Sequence, residues 1–390
     1  MTKNTLIFNN PTGMSKCTIF VTGKCNLACD YCYIGKKNSK MTLPVADKIL
    51  NFMFGRLKEG ERLEIGLFGG EPLLEFDLVK DITGRIQNHA GFDPDRVSIS
   101  VVTNGTLLTE EILAWLHEMK IVLCISCDGP PEMHDVHRHF PDGRGSSAVV
   151  ERNIQRALEY FPFLPVNAVY SRENLCFLPK IVKYLIGIGV RNIYLNPDIS
   201  ADWTQQDAMT AYDVYSAIGK LYTDYHMRGD PKYISLIDNK IVSILRGGYQ
   251  SNERCKMGNG EYAFTPSGDI YPCERLVGSD EGGLHCIGNI NDEFVPGRNC
   301  RTISCVATNR ECSTCGIKDY CMNWCGCTNY HATGRYDMVS PFICASERAA
   351  IEVAFQAIEE LKKHNICLSH HLIGSPFSNI VASACEKAGR

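Results

Sequence analysis

The chain has 390 residues, which at ~150 per domain gives two or three units and room for a sizeable core. Its 44% apolar and 22% charged residues are those of a soluble globular protein and exclude a disordered tail protein or a coiled coil. Forty basic against forty-four acidic residues leave a net charge of −4, which points away from nucleic acid and anionic membrane surfaces as partners. No apolar stretch reaches the ~18–20 residues of a membrane span, and the start lacks a basic segment followed by an apolar signal region, so a cytoplasmic chain is expected. In that reducing compartment twenty cysteines cannot form a disulfide framework, and metal or thiol chemistry is the expectation.

After an N-terminal segment, 1–16, short β-branched runs alternate with amphipathic helical patterns. Strands are predicted at 17–21, 63–68, 97–103, 121–127, 164–169 and 192–196. Helices are predicted at 43–57, 76–88, 109–118, 146–160 and 178–187, with Thr109 as an N-cap and Pro44 in a first turn. Continuous apolar runs such as Ile121-Val122-Leu123 suit parallel strands covered by helices. Six βα units are too few for a closed eight-fold barrel, so residues 17–200 should form an α/β partial barrel or a doubly wound sheet, with ligands beyond the carboxyl ends of the strands.

Polar and glycine-rich sequences follow those strands: 22–32 after the first, Gly69-Gly70-Glu71-Pro72 after the second, Thr103-Asn104-Gly105 after the third, and Ser126-Cys127-Asp128-Gly129 at the fourth. Each alone reads as a turn, but four on one rim read as a site. Residues 204–226 have Tyr212, Tyr215, Ile218, Leu221, Tyr222 and Tyr225 at helical spacing, an apolar seam within 201–252 expected to bridge the barrel to a cysteine-rich domain. That domain is expected over 253–347. Beyond it, 348–390 holds the rest of a capping helix predicted at 345–364 and a tail in which Cys367 and Cys385 read as free thiols.

The cysteines fall into two groups. Cys25, Cys29 and Cys32 have spacing C-x3-C-x2-C with no nearby histidine, unlike the paired ligands of zinc. Three thiolates leave one iron of a [4Fe–4S] cube without a protein ligand, where a small molecule can chelate. Cys17, on the preceding strand, reads as a buried core thiol rather than a fourth ligand. Histidines 134, 137 and 139 read as loop residues near Arg138 rather than metal ligands.

This C-x3-C-x-Tyr31-Cys32 pattern, with GGEP and SCDGPPEMHDVHR downstream, resembles the radical S-adenosylmethionine (SAM) superfamily. The resemblance implies a partial (β/α)6 TIM-like barrel in which Cys25, Cys29 and Cys32 hold a cluster whose open iron is chelated by SAM. It further implies that Gly69, Gly70 and Glu71 hold the SAM amino group and that Ser126 and Arg138 hold its carboxylate. Thr103, Asn104 and Asp128 would border the ribose and methionine. The activity implied is reductive cleavage of SAM and hydrogen abstraction by a 5′-deoxyadenosyl radical.

The second series reads Cys255-x12-Gly268-x4-Cys273, then Cys312-x2-Cys315-x5-Cys321-x3-Cys325, then Cys344, and resembles the small cysteine-rich SPASM domain of peptide and protein maturases. That resemblance implies two auxiliary [4Fe–4S] clusters, three in all. Cys312, Cys315, Cys321 and Cys344 would hold the outer one, and Cys255, Cys273 and Cys325 the inner one. Sulfatase maturases supply a further cysteine where residues 256–272 here have none. Either Cys286, Cys300, Cys305 or Cys327 completes the inner cluster, or its iron stays open to a substrate thiolate. Glu274 stands where those maturases carry an acidic base; an exposed turn glutamate is the alternative.

The reaction expected is oxidation or cross-linking of a peptide or protein residue, thioether or carbon–carbon, as in ribosomal-peptide maturation. A sulfatase-type formylglycine maturase is the runner-up, and a non-catalytic metal-binding scaffold is the reading from another class. Partners are the peptide or protein substrate and an external one-electron reductant such as flavodoxin or ferredoxin. A separate leader-recognition protein is a further partner, since only sixteen residues precede Cys17.

Overall fold

The computed structural model describes residues 14–249, 255, 257–280, 283–292, 310–322, 325–366 and 368. Cys300, Cys305, Cys367 and Cys385 lie outside these residues. The first half runs β1 (Met14–Thr22), α1 (Leu43–Phe54), β2 (Arg62–Gly69), α2 (Phe76–Gln87), β3 (Val97–Thr103), α3 (Glu110–Glu118), β4 (Val122–Ser126), α4 (Pro131–His137), α5 (Ser147–Tyr160), β5 (Pro165–Tyr170), α6 (Leu178–Gly187) and β6 (Asn192–Pro197). It continues through α7 (Gln205–Met227), β7 (Tyr233–Ile234), α8 (Ser235–Leu245), β8 (Glu261–Phe264), β9 (Asp269–Tyr271), β10 (Gly288–Asn289), α9 (Arg310–Ser313), α10 (Gly326–Thr333) and α11 (Pro341–Lys363).

One sheet carries all ten of these strands in the order β10-β9-β8-β1-β2-β3-β4-β5-β6-β7. Strands β1 to β7 are parallel to their neighbours, as the α/β partial barrel expected for six βα units requires. Sequence period two explains the two faces of β1: Cys17, Ile19 and Val21 are fully buried in the main core, whereas Lys16, Thr18 and Phe20 point to the opposite side. Cys17 is thus the core thiol expected. Thr109 caps α3, its hydroxyl accepting from Ile112 N at 3.3 Å.

The sheet does not stop where the first cysteine-rich residues begin. β8 pairs in parallel with β1, Lys16 opposite Glu261, and β9 and β10 extend the sheet antiparallel. The second cysteine region therefore grows from an edge of the barrel sheet. The tyrosine-bearing helix α7 packs mainly along α11, whose first turn carries Cys344. The two approach closely at Gly219, where a Cβ would lie 2.5 Å from Val353 Cγ1, and Trp203 stacks on Phe342 at 3.7 Å. Tyr212, predicted for the seam, is exposed. Among the described residues no helix is long and apolar enough to cross a membrane.

Asp238, in the first turn of α8, is buried and accepts from Ile234 N at 2.6 Å and Tyr222 OH at 2.8 Å. Burial pushes its carboxyl up to about 7 despite those bonds. Its folded proton affinity exceeds the unfolded one, so the stabilisation is complete below about pH 4 and is lost as pH rises through about 7, at roughly 1.4 kcal/mol per unit. The thermal midpoint of Asp238→Asn, compared with the parent across that window, should fall less steeply with pH; parallel slopes would refute this.

Candidate active site

The loop after β1 carries Cys25, Cys29 and Cys32, and the ends of the next strands hold it in place. Gly69 has φ +134°, and a Cβ there would lie 2.2 Å from Thr22 O. A Cβ on Gly70 would lie 2.2 Å from Lys24 O and 3.1 Å from Cys25 Cβ. The pair lets backbone run against backbone, with Gly70 N donating to Thr22 O at 2.9 Å and Glu71 N to Lys24 O at 2.8 Å. GGEP therefore supports the cysteine loop rather than only reversing the chain.

Glu71 is fully buried with its carboxylate committed inside the protein. Leu73 N donates to it at 3.0 Å, Thr103 Oγ1 at 2.7 Å and Asn104 N at 2.7 Å. Burial pushes it up to about 7 against those three donors. Its side chain thereby locks the end of β3 to the end of β2. Asn104 in turn donates to Asn26 Oδ1 at 2.8 Å and points its amide at Cys25 Sγ at 3.8 Å.

From the fourth strand, Asp128 is buried and accepts from Arg138 Nε at 2.8 Å, from Val169 N at 2.8 Å and from Tyr31 OH. Arg138 lies over the Tyr31 ring at 5.3 Å, and its charge acts on Cys29. Short α4, missed by the sequence reading between two prolines and Arg138, ends in backbone that receives Ala28 N at His139 O (2.7 Å) and Asp30 N at His137 O (3.2 Å). Ser126, half-buried at the end of β4, pairs in register with Asn167 of β5.

The histidines do not form a metal cluster. His134 Nδ1 accepts from Asp128 N at 3.2 Å while Nε2 meets Ser146 Oγ at 2.9 Å, and burial lowers it to about 4. His139 contacts Asp30, and His137 Nε2 meets Ser171 Oγ at 3.3 Å.

Cys25, Cys29 and Cys32 are near enough to perturb one another electrostatically. Burial pushes Cys25 upward and Cys29 to about 11, beyond what Arg138 offsets at Cys29. Three neighbouring thiols, with Leu27 N aimed at Cys25 Sγ at 3.4 Å, suit an iron–sulfur cube that would bind them as thiolates.

The second cysteine region resolves into two assemblies. Cys312, Cys315, Cys321 and Cys344 lie near Arg348, which donates to Cys315 Sγ at 3.4 Å and whose proton affinity is raised chiefly by Cys344, then Cys315 and Cys321. Cys255, Cys273 and Cys325 gather elsewhere, around Cys327: Cys273 Sγ is 3.4 Å from Cys327 Sγ, and Cys325 Sγ 3.2 Å from it. Both are all-thiol donor sets that fit iron–sulfur clusters.

Glu274 is not an exposed turn residue. Lys16 Nζ lies 3.5 Å from its Oε1 and 3.8 Å from Glu261 Oε1. Burial works against its charge, but Lys16 and Arg275 prevail and hold the Glu274 carboxyl below the usual range. Cys273 Sγ and carboxylate oxygens of Glu261 and Glu274 all lie within 4.8 Å of one another. Tyr33, next to Cys32, is half-buried where the charges of Glu274, Arg275 and Cys273 reach it, so its neighbourhood joins the first thiol group to the second. Lys16, Tyr33 and Arg275 were not singled out from sequence; the alternation of β1 puts Lys16 on the face opposite the main core and was the available signal.

The pattern described as the radical SAM superfamily matches residues 19–196, which hold the three-cysteine loop and the strand ends around it. Those residues are of the radical SAM superfamily. This radical SAM chain is 28% identical over 287 residues to an uncharacterised protein of Methanocaldococcus jannaschii, covering 72% of the chain and 90% of that protein. It is 25% identical over 356 residues to a cysteine-type anaerobic sulfatase-maturating enzyme of Clostridium perfringens, covering 85% of the chain and 93% of that enzyme. Its fold is shared with the structure described as native anSMEcpe with bound AdoMet and Cp18Cys peptide, at TM-score 0.74 and 21% identity, covering 90% of this chain and 99% of that one. It is a radical SAM enzyme related to sulfatase-maturating enzymes, which sets aside the non-catalytic scaffold.

Proposed function

We propose that this radical SAM enzyme oxidises or cross-links a residue of a peptide or protein. Cys25, Cys29 and Cys32 would hold the SAM-binding [4Fe–4S] cluster. Reduced and bound to SAM, that cluster supplies one electron to the sulfonium and so the 5′-deoxyadenosyl radical that takes hydrogen from carbon. The backbone of Gly69 and Gly70 beside Cys25 would meet the SAM amino group, and Arg138 and Ser126 its carboxylate. Thr103, Asn104 and Asp128 would border ribose and methionine; Glu71, its oxygens already taken by protein donors, positions Thr103 and Asn104.

Glu274 would take the proton of the substrate side chain while Cys255, Cys273 and Cys325, with Cys312, Cys315, Cys321 and Cys344, hold two auxiliary clusters as electron acceptors. A flavodoxin or ferredoxin would deliver and collect single electrons. The observation that carries this reading is the Glu274 carboxylate, 3.5 Å from Lys16 Nζ and 3.6 Å from Cys273 Sγ.

Formylglycine formation on a sulfatase is the second reading, favoured by the coverage of 93% of the Clostridium perfringens enzyme. With reductant and SAM, the anaerobic enzyme should release 5′-deoxyadenosine. A peptide cross-linked by it should lose two hydrogens by mass spectrometry and carry no aldehyde; a sulfatase peptide turned over by it should become reactive to a hydrazine reagent. Absence of 5′-deoxyadenosine from an iron-loaded, reduced preparation would refute both.

A further inference from the structure

We propose that Cys327 is the fourth thiolate of the inner auxiliary cluster, so that Cys255, Cys273, Cys325 and Cys327 enclose it and leave no iron open to substrate. This rests on the reading that the second cysteine region holds iron–sulfur clusters.

Cys327 is the meeting point of the inner group. Its sulfur is 3.4 Å from Cys273 Sγ and 3.2 Å from Cys325 Sγ, and Cys325 also shares a hydrogen bond with Cys255. The residue is 1% exposed and packs with Met257, Leu276 and Tyr336, a shielded apolar wall of the kind that keeps solvent from a cluster. A core thiol acting as a small hydrophobe would not need a cation, yet the half-buried Arg275 reaches Thr328, the residue that follows Cys327. Arg275 Nη1 donates to Thr328 Oγ1 at 3.0 Å. That hydroxyl donates in turn to Cys325 Sγ at 3.2 Å. An arginine set among thiols fits thiolates on a cluster whose four sulfur ligands leave it anionic.

Local backbone brings Cys325 and Cys327 to one place. Cys325 is the extended N-cap of α10 and Cys327 lies in its first turn, so the chain bends between the two side chains. Cys286 belongs elsewhere: its sulfur donates to Gly288 O at 3.3 Å, and it packs against the cluster of Phe20, Ile34 and Tyr271. The cysteine absent from 256–272 is thus replaced by a residue two positions past the last member of the C-x2-C-x5-C-x3-C run. A substrate thiolate would then react without binding this cluster.

The test uses the full chain with Cys25, Cys29 and Cys32 changed to alanine, reconstituted anaerobically so that only auxiliary clusters remain. This parent should bind about eight iron and eight sulfide, and added 2-mercaptoethanol should not alter its Mössbauer or electron paramagnetic resonance spectra. Adding Cys327→Ala should cost up to about half the iron, or leave one cluster whose spectrum changes with the added thiol. Adding Cys327→Ser should keep the iron and shift the signal and midpoint potential of one cluster, which guards against misfolding of the alanine variant. Cys286→Ala should match the parent.

Iron content, spectra and thiol response unchanged in both Cys327 variants would overturn the assignment, and a change in Cys286→Ala, Cys300→Ala or Cys305→Ala instead would name the true ligand. A parent that already responds to the thiol would mean an open iron. A parent holding zinc, or no iron, would remove the auxiliary-cluster reading itself.

Discussion

Replacing Cys25, Cys29 and Cys32 by alanine should bring 5′-deoxyadenosine formation down to the uncatalysed level, a loss of on the order of 10⁶-fold or more. Among the described residues no other group near the loop can replace a thiolate-held cluster: the three nearby histidines are engaged in hydrogen bonds or beside Asp30, and Glu71 is buried and accepts from three protein donors. The fold should survive the change. Cys25 and Cys29 are half-buried and Cys32 is exposed, while the loop is tied down by Ala28 and Asp30 bonded to the end of α4 and by Tyr31 on Asp128. Iron analysis should therefore show about eight of roughly twelve irons retained, with an unchanged circular dichroism spectrum. Nucleoside release persisting in this variant would break the case for the first thiol group as the SAM-cleaving centre.

The barrel was legible because its strands are short, β-branched and separated by helices with their own periodicity. β3 was placed residue for residue, and β2, β4 and β5 to within one or two. The cysteine spacings were legible because ligation imposes short, fixed separations. What sequence could not show depends on partners far along the chain. β8 is a four-residue strand recognisable only once Glu261 is seen opposite Lys16. α4 is two turns long and begins with proline, too brief for a period to emerge. Glu71 was read as a ligand for an ammonium because a carboxylate beside two glycines looks free; the donors that occupy it come from β3, thirty-two residues on. Cys327 stood among four candidates of equal standing until its distances to Cys273 and Cys325 separated it from Cys286.

Glu274→Gln should separate the two halves of the reaction. Hydrogen abstraction from the substrate carbon depends on the first thiol group, whereas completing the oxidation requires a proton to leave the substrate side chain and a second electron to leave the substrate radical. A general base contributes about 10²–10⁴-fold, so modified peptide should fall by roughly 10²–10³-fold, while reductive cleavage of SAM stays within a few-fold. Glutamine keeps the shape and an oxygen near Lys16 but cannot accept the proton. With a peptide deuterated at the reacting carbon, the variant should still move deuterium into 5′-deoxyadenosine, which a merely structural glutamate would not predict alongside lost product. Full product yield from Glu274→Gln would reduce this residue to the counter-charge of Lys16 and leave the proton acceptor to be found elsewhere.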